Sequence, residues 1–146
     1  MTALPGPWVY VATAEAHDAE MAARVAAHRA GRVAGWETSE APLDLPAALA
    51  RAGSAPALVD CLTLWLTNLM FADRDMAEAR AALLAALRRR AAPTVLVSNE
   101  VGLGIVPENA LARAFRDEAG RLHQAVAAQA DRVVFMIAGL PLTVKG

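Results

Sequence analysis

Ala57-Leu58-Val59-Asp60 is a continuous apolar run closed by an acid, and the apolar segment Leu62 to Phe71 follows it after a single cysteine. An uninterrupted apolar run of this length suits a strand buried on both faces. The segment after it reads as a buried helix. Working outward, the same alternation recurs. Upstream, Trp8-Val9-Tyr10-Val11-Ala12 is a β-rich run, and Thr13-Ala14-Glu15-Ala16 follows it as a loop. Gly35 to Glu40 looks extended, and Pro42 ends it. Leu43 to Ala52 is helical in composition, with Pro46 tolerable only in a first turn.

Downstream, Met76 to Arg90 is an amphipathic helix with Leu83, Leu84 and Leu87 as its apolar stripe. Thr94 to Ser98 reads as the next buried strand, and Asn99-Glu100-Val101-Gly102-Leu103-Gly104 as the loop after it. Pro107 opens a helix predicted over Glu108 to Gln129. Arg132 to Ile137 reads as a last buried strand, Gly139 and Pro141 as a turn, and Leu142 to Lys145 as an edge strand. Apolar strands alternating with helices argue an α/β fold, with a mostly parallel sheet and helices on both faces. In such sheets ligands bind beyond the carboxyl ends of the strands. That places Thr13-Ala14-Glu15, Asp60 and its successors, and Asn99-Glu100 at the candidate site.

Composition narrows the class. One domain is the natural reading of 146 residues. The formal net charge of −1 gives no bulk drive toward nucleic acid or anionic lipid. The longest apolar runs fall far short of the roughly 20 residues of a membrane span. Cys61 is the only cysteine, which excludes an internal disulfide framework and fits a reducing compartment. The first residues lack a basic region followed by an apolar stretch, so a cytoplasmic protein is expected. Arg88-Arg89-Arg90 reads as a solvated helix end, where cations suit the dipole.

The candidate chemistry gathers on Asp18 to Arg32. Asp18 is a good N-cap, and Gly31 can take the left-handed position that ends a helix. Met21, Val25 and His28 fall at i, i+4 and i+7 on one face, so His28 is expected on the inward stripe at the helix end. Arg24, Arg29 and Arg32 lie close to it in sequence. A phosphate-transfer histidine could be built this way; a half-buried helix histidine among surface arginines is the commoner meaning of such a pattern. Asp60 resembles a Walker B acid that holds Mg²⁺; a strand-end Asp that caps the helix at Leu62 is the other reading. Trp36 and Trp65 are expected in the core, His17 at the surface, and His123 in packing or at the surface. No histidine pair has metal-ligand spacing. Lys145 is the only lysine, and no G-x-x-x-x-G-K-[ST] loop is present.

Together Val11-Ala12-Thr13-Ala14, Asp18-x-Glu20-Met21-x-x-Arg24, His28, Arg32, Trp36-x-Thr38-x-Glu40, Asn68-Leu69 and the block Asn99 to Asn109 carry a resemblance. With Arg113, Phe115-Arg116-Asp117, Gly120 and Gln124, they are similar to the adenosylcobinamide kinase / adenosylcobinamide-phosphate guanylyltransferase family from about Trp8 onward. The resemblance implies a P-loop NTPase-like fold and two reactions of cobalamin biosynthesis. The first phosphorylates adenosylcobinamide with a nucleoside triphosphate, ATP or GTP. The second transfers GMP from GTP to adenosylcobinamide phosphate through a guanylylated histidine.

By the resemblance that histidine is His28. Arg29, Ala30, Gly31 and Arg32 match the segment that contacts the guanine nucleotide, and Ala12, Thr13, Ala14, Glu40 and Asp60 match other nucleotide-contacting positions. It further implies Mg²⁺ with the nucleotide, Asp60 as its ligand, and a homotrimer. Family members begin with a strand, a Walker A loop and a helix. This chain starts just before what would be the second strand, so a unit of roughly 25–30 residues is expected to be missing. Two functions stay open at this level. One is the bifunctional enzyme; the other is a non-catalytic chain that binds corrinoid or supplies only oligomer contacts.

Overall fold

The computed structural model describes residues 1, 3–15 and 18–146, without the side chain of Met21. The expected surface position of His17 lies outside the described residues. The chain divides into two compact units, Met1–Glu100 and Val101–Gly146.

The first unit is built on β1 (Trp8–Ala12), β2 (Trp36–Glu40), β3 (Ala57–Asp60) and β4 (Thr94–Val97). They form one parallel sheet in the order β2-β1-β3-β4. The helices α1 (Ala19–Ala30), α2 (Leu45–Arg51), α3 (Leu62–Phe71) and α4 (Met76–Arg89) connect the strands and flank the sheet, which is the expected α/β class. Register aligns Val9 with Ala57 and Val11 with Val59. Alternation along each strand puts these four on one face, and all are buried. α2 packs against β1 and α4, and Leu45, Ala48, Leu49 and Leu83 are fully buried.

The opposite face carries Tyr10, Leu58 and Asp60, with Val95 and Val97 of β4 in register beside the last two. Val95 and Val97 are exposed, so β4 is not buried on both faces as its composition suggests. It is an edge strand of this sheet, and apolar content alone does not distinguish an edge from a centre.

Local signals explain most boundaries. Asp44 accepts from the Ala47 amide and Pro46 sits in the first turn of α2. Asp75 accepts from the amides of Ala77 and Glu78 at the start of α4. Gly35 has φ +99, and a Cβ there would lie 2.9 Å from the Trp8 ring, so glycine is required before β2. The Asp60–Cys61 peptide is cis.

Several expectations are corrected. α1 has the predicted bounds, but none of its described residues is buried, and Val25 and His28 are exposed. The predicted inward stripe is therefore absent among the described residues. Gly31 closes α1 by donating to the Ala27 carbonyl and does not adopt the left-handed conformation. Trp65 is core, with its Nε1 donating to the Leu43 carbonyl. Trp36 is only half-buried, its ring 5.6 Å from that of Trp8.

Arg90 is not a solvated helix end. Its guanidinium donates to the carbonyls of Leu49, Gly53 and Ala55 and to Thr94 Oγ1. Planar donors in a fixed fork suit that cluster of acceptors.

The second unit holds α5 (Ala110–Gln129), β5 (Val133–Ile137) and β6 (Leu140–Lys145). α5 starts two residues later than predicted, because Asn109 caps it through the Ala112 amide and Pro107 stays outside. β5 and β6 pair antiparallel, and β5 is largely exposed rather than a buried strand. Ala138 and Gly139, both at positive φ, form the two-residue turn between them. Two positive φ values match the twist of a tight hairpin.

Candidate nucleotide-transfer site

The carboxyl ends of β1 and β3 are tied together first. Thr13 Oγ1 accepts from the Cys61 amide and donates to the Cys61 carbonyl, both at 2.8 Å. Asn68 of α3 donates its Nδ2 to the carbonyls of Thr13 and Pro42 at 2.8 and 3.1 Å. Asn99 donates to Thr63 Oγ1 at 3.1 Å, which links the end of β4 to the first turn of α3. Thr13 and Asn68 are buried, and such groups keep their place by being bonded. Asp60 does not cap α3: Cys61 holds the N-cap position and makes no side-chain cap bond there.

Freed of that task, the Asp60 carboxylate accepts a hydrogen bond at Oδ2 from the Tyr10 hydroxyl. Tyr10 lies on β1 opposite Leu58, two residues before the Asp60 level, on the same sheet face. Its hydroxyl also sits 3.2 Å from His28 Nδ1. The Tyr10 and His28 rings have centroids 5.6 Å apart. The Arg32 guanidinium lies 3.8 Å over the Tyr10 ring, a cation–π contact, and Arg32 donates to Thr38 Oγ1 at 3.1 Å. The Arg32 Nε is buried with no hydrogen-bond partner among the described residues. Burial above all, and then the Asp60 carboxylate, raise the Tyr10 pKa well above the ordinary tyrosine value. The phenol keeps its proton at any physiological pH.

A cleft of about 310 Å³ opens over these groups. It is lined by Ala12, Ala14, Arg24, His28, Arg29, Arg32, Glu40 and Asp60, with Tyr10 and Thr38. A smaller hollow of about 250 Å³ adjoins it, lined by Tyr10, His28, Arg32, Trp36, Leu58, Asp60 and Val97. Arg29 and Glu40 face each other across the rim at 3.8 Å and are largely solvated. A pair so exposed contributes little to stability.

Of the residues singled out from sequence, the cleft brings together Ala12, Ala14, His28, Arg29, Arg32, Glu40 and Asp60. Thr13 lies buried beneath it, in the turn rather than in the lining. Ala30 and Gly31 are exposed at the end of α1 and do not line it.

Tyr10 is the side chain at this cleft that sequence reasoning missed. It is the chain's only tyrosine, and it shares the β1 face that ends in Ala12. Period-two alternation was the available signal.

A divalent cation can be tested against this donor set. No group of three His, Cys, Asp or Glu side chains suited to a metal occurs among the described residues. Mg²⁺ is more often held by one or two carboxylates together with substrate phosphates. Asp60, with one carboxylate oxygen engaged by Tyr10, fits that mode and not a protein-only cage.

The fold and site define a parallel α/β protein with a cleft beyond its strand ends, where arginines surround a histidine and a carboxylate. The chain matches the cobinamide kinase / cobinamide phosphate guanyltransferase family over residues 1–144, and it belongs to that family. It is 52% identical over 142 residues to the bifunctional adenosylcobalamin biosynthesis protein CobP of Pseudomonas aeruginosa, covering 94% of this chain and 82% of that one. It is 42% identical over 155 residues to the bifunctional adenosylcobalamin biosynthesis protein CobU of Salmonella typhimurium, covering 94% of this chain and 85% of the relative. A CobU of Escherichia coli matches to the same extent. No helix among the described residues is long and apolar enough to cross a membrane.

Proposed function

We propose that the protein acts in adenosylcobalamin biosynthesis, as the names of its relatives suggest, and that His28 carries GMP between GTP and adenosylcobinamide phosphate. The single observation behind this reading is the convergence of His28 with Asp60, Arg24, Arg29 and Arg32 on one cleft. A neutral histidine is a competent nucleophile toward phosphorus near pH 7.

In the first step an imidazole nitrogen of His28 attacks the α-phosphorus of GTP. A P–N bond forms, and the P–O bond to pyrophosphate breaks. In the second step an oxygen of adenosylcobinamide phosphate attacks the same phosphorus. That step breaks the P–N bond, yields adenosylcobinamide-GDP and returns the histidine. Both steps build negative charge on phosphate oxygens, and guanidinium groups aimed at that charge stabilise it. Arg24, Arg29 and Arg32 are the cations lining the cleft.

When bound, Mg²⁺ would be held by Asp60 and the nucleotide phosphates, and it would neutralise part of the triphosphate charge. Ala12 and Ala14 leave the floor of the cleft free of large side chains, and Glu40 stands at its rim. A triphosphate cradle of the Walker A type is not among the 146 residues, so none of them is assigned to the kinase reaction.

The test is covalent labelling. With α-labelled GTP and Mg²⁺, the protein should acquire label that resists alkali and is released by mild acid, as a phosphoramidate is. His28→Asn should abolish it. Label that persists in that variant, or label stable to acid, sinks the assignment.

A further inference from the structure

We propose that Tyr10 is the positioning residue for His28: its hydroxyl fixes the imidazole in the Nδ1–H tautomer and so makes Nε2 the reacting nitrogen. This rests on the reading of His28 as the GMP carrier for its consequence, though not for its geometry.

The argument is a count of protons. A phenol has one proton to donate, and an ionised carboxylate has none. The Tyr10 hydroxyl contacts Asp60 Oδ2 and His28 Nδ1 at once. The contact with Asp60 uses the phenolic proton. The 3.2 Å contact with His28 is then a hydrogen bond only if Nδ1 carries the proton and the phenolic oxygen accepts it. Which nitrogen of a histidine is protonated is set by the bond the other partner offers. Nε2 is left with its lone pair. Free neutral histidine in water favours the opposite tautomer, so the contact selects the minor form.

The tyrosine is itself held. Its ring is buried on β1, under the Arg32 guanidinium at 3.8 Å and edge-on to Trp36 at 6.1 Å. Asp60 is fixed to a turn whose Thr13 and Cys61 groups are bonded both ways. His28 has no such support, because the described residues of α1 are exposed. Orientation therefore runs from the core strands through Tyr10 to the histidine. Partners that orient metal-bound histidines cost roughly 10–100-fold when lost, and a loss of that order is expected here.

The experiment uses the full chain with ¹⁵N-labelled histidine at pH 8, without nucleotide. The His28 ring nitrogens should report the Nδ1–H tautomer in the wild type. In Tyr10→Phe, which keeps the ring contacts, they should move toward Nε2–H. The rate of GMP adduct formation should fall about 10–100-fold, with the KM for GTP little changed. A wild-type spectrum of the Nε2–H tautomer overturns the proposal. So does a Tyr10→Phe variant with wild-type tautomer and rate. If the variant does not fold, the wild-type spectrum alone decides. If the wild type forms no adduct at all, the carrier reading fails, while the nitrogen shifts still judge Tyr10.

Discussion

The turn after β3 and the helix α1 meet the same cleft and are held in opposite ways. At the turn, Thr13, Cys61 and Asn68 are buried, and side chains of Thr13 and Asn68 bond to main chain of another segment. α1 and the turn after it reach the rest of their unit through polar tips: His28 to Tyr10, Arg29 to Glu40, and Arg32, just past the helix, to Thr38. A 12-residue helix is marginal by its own propensity and needs tertiary packing to persist. The difference teaches how the site divides its labour. The carboxylate and the tyrosine sit on the rigid side, and His28, the proposed nucleophile, rides on the lightly held side.

Native-state hydrogen exchange is the strongest way to break this comparison. Amides of α1 should exchange by local opening, orders of magnitude faster than those of β1 and β3, whose protection should approach that of global unfolding. Equal protection would show that α1 is part of the core. Next, Asn68→Ala leaves the carbonyls of Thr13 and Pro42 without their donor. Urea unfolding of that variant should show about 2–6 kcal/mol of lost stability, a cost of one to three for each unsatisfied group.

A smaller effect is expected at alkaline pH. The Tyr10 pKa is raised in the fold by burial first and then by Asp60. The unfolded chain releases its proton near pH 10 while the folded chain retains it. Stability is thus full below about pH 10 and declines above it, and Tyr10→Phe should flatten that decline. The smallest effect belongs to His28→Ala. On the exposed helix it should shift stability by no more than about 0.5 kcal/mol while removing the adduct. A larger shift would mean that His28 is a packing residue.

The strands were legible because four apolar runs have no other economical use in a chain of this size. The helices were legible through composition and amphipathic spacing, whereas the caps that set their starts, Asp44, Asp75 and Asn109, emerged only from the structure. What escaped was set by partners distant in sequence. The order β2-β1-β3-β4 follows from pairings that no local pattern encodes. Val95 and Val97 look central and stand at an edge. The Val133–Ile137 run looks like a parallel strand, yet a two-residue turn folds it into an exposed hairpin.

In the site, His28 and Asp60 were found from chain order and family resemblance. Their link was not, because it passes through Tyr10, and a tyrosine in a β-rich run reads as packing. Periodicity also misjudged His28 itself. It placed the imidazole on an inward stripe, whereas the helix presents it from an exposed position to a hydroxyl on the sheet.

Arg90 has a consequence for the order of assembly. Its carbonyl partners lie 35, 37 and 41 residues upstream. Between them and Arg90 the chain forms β3, α3 and α4. A clasp across so long a loop closes only after that loop is already organised, because the entropy of closure must be met by other contacts first. Arg90 therefore acts as a latch rather than a seed. Arg90→Ala should leave the folding rate nearly untouched and speed unfolding, as stopped-flow kinetics would read.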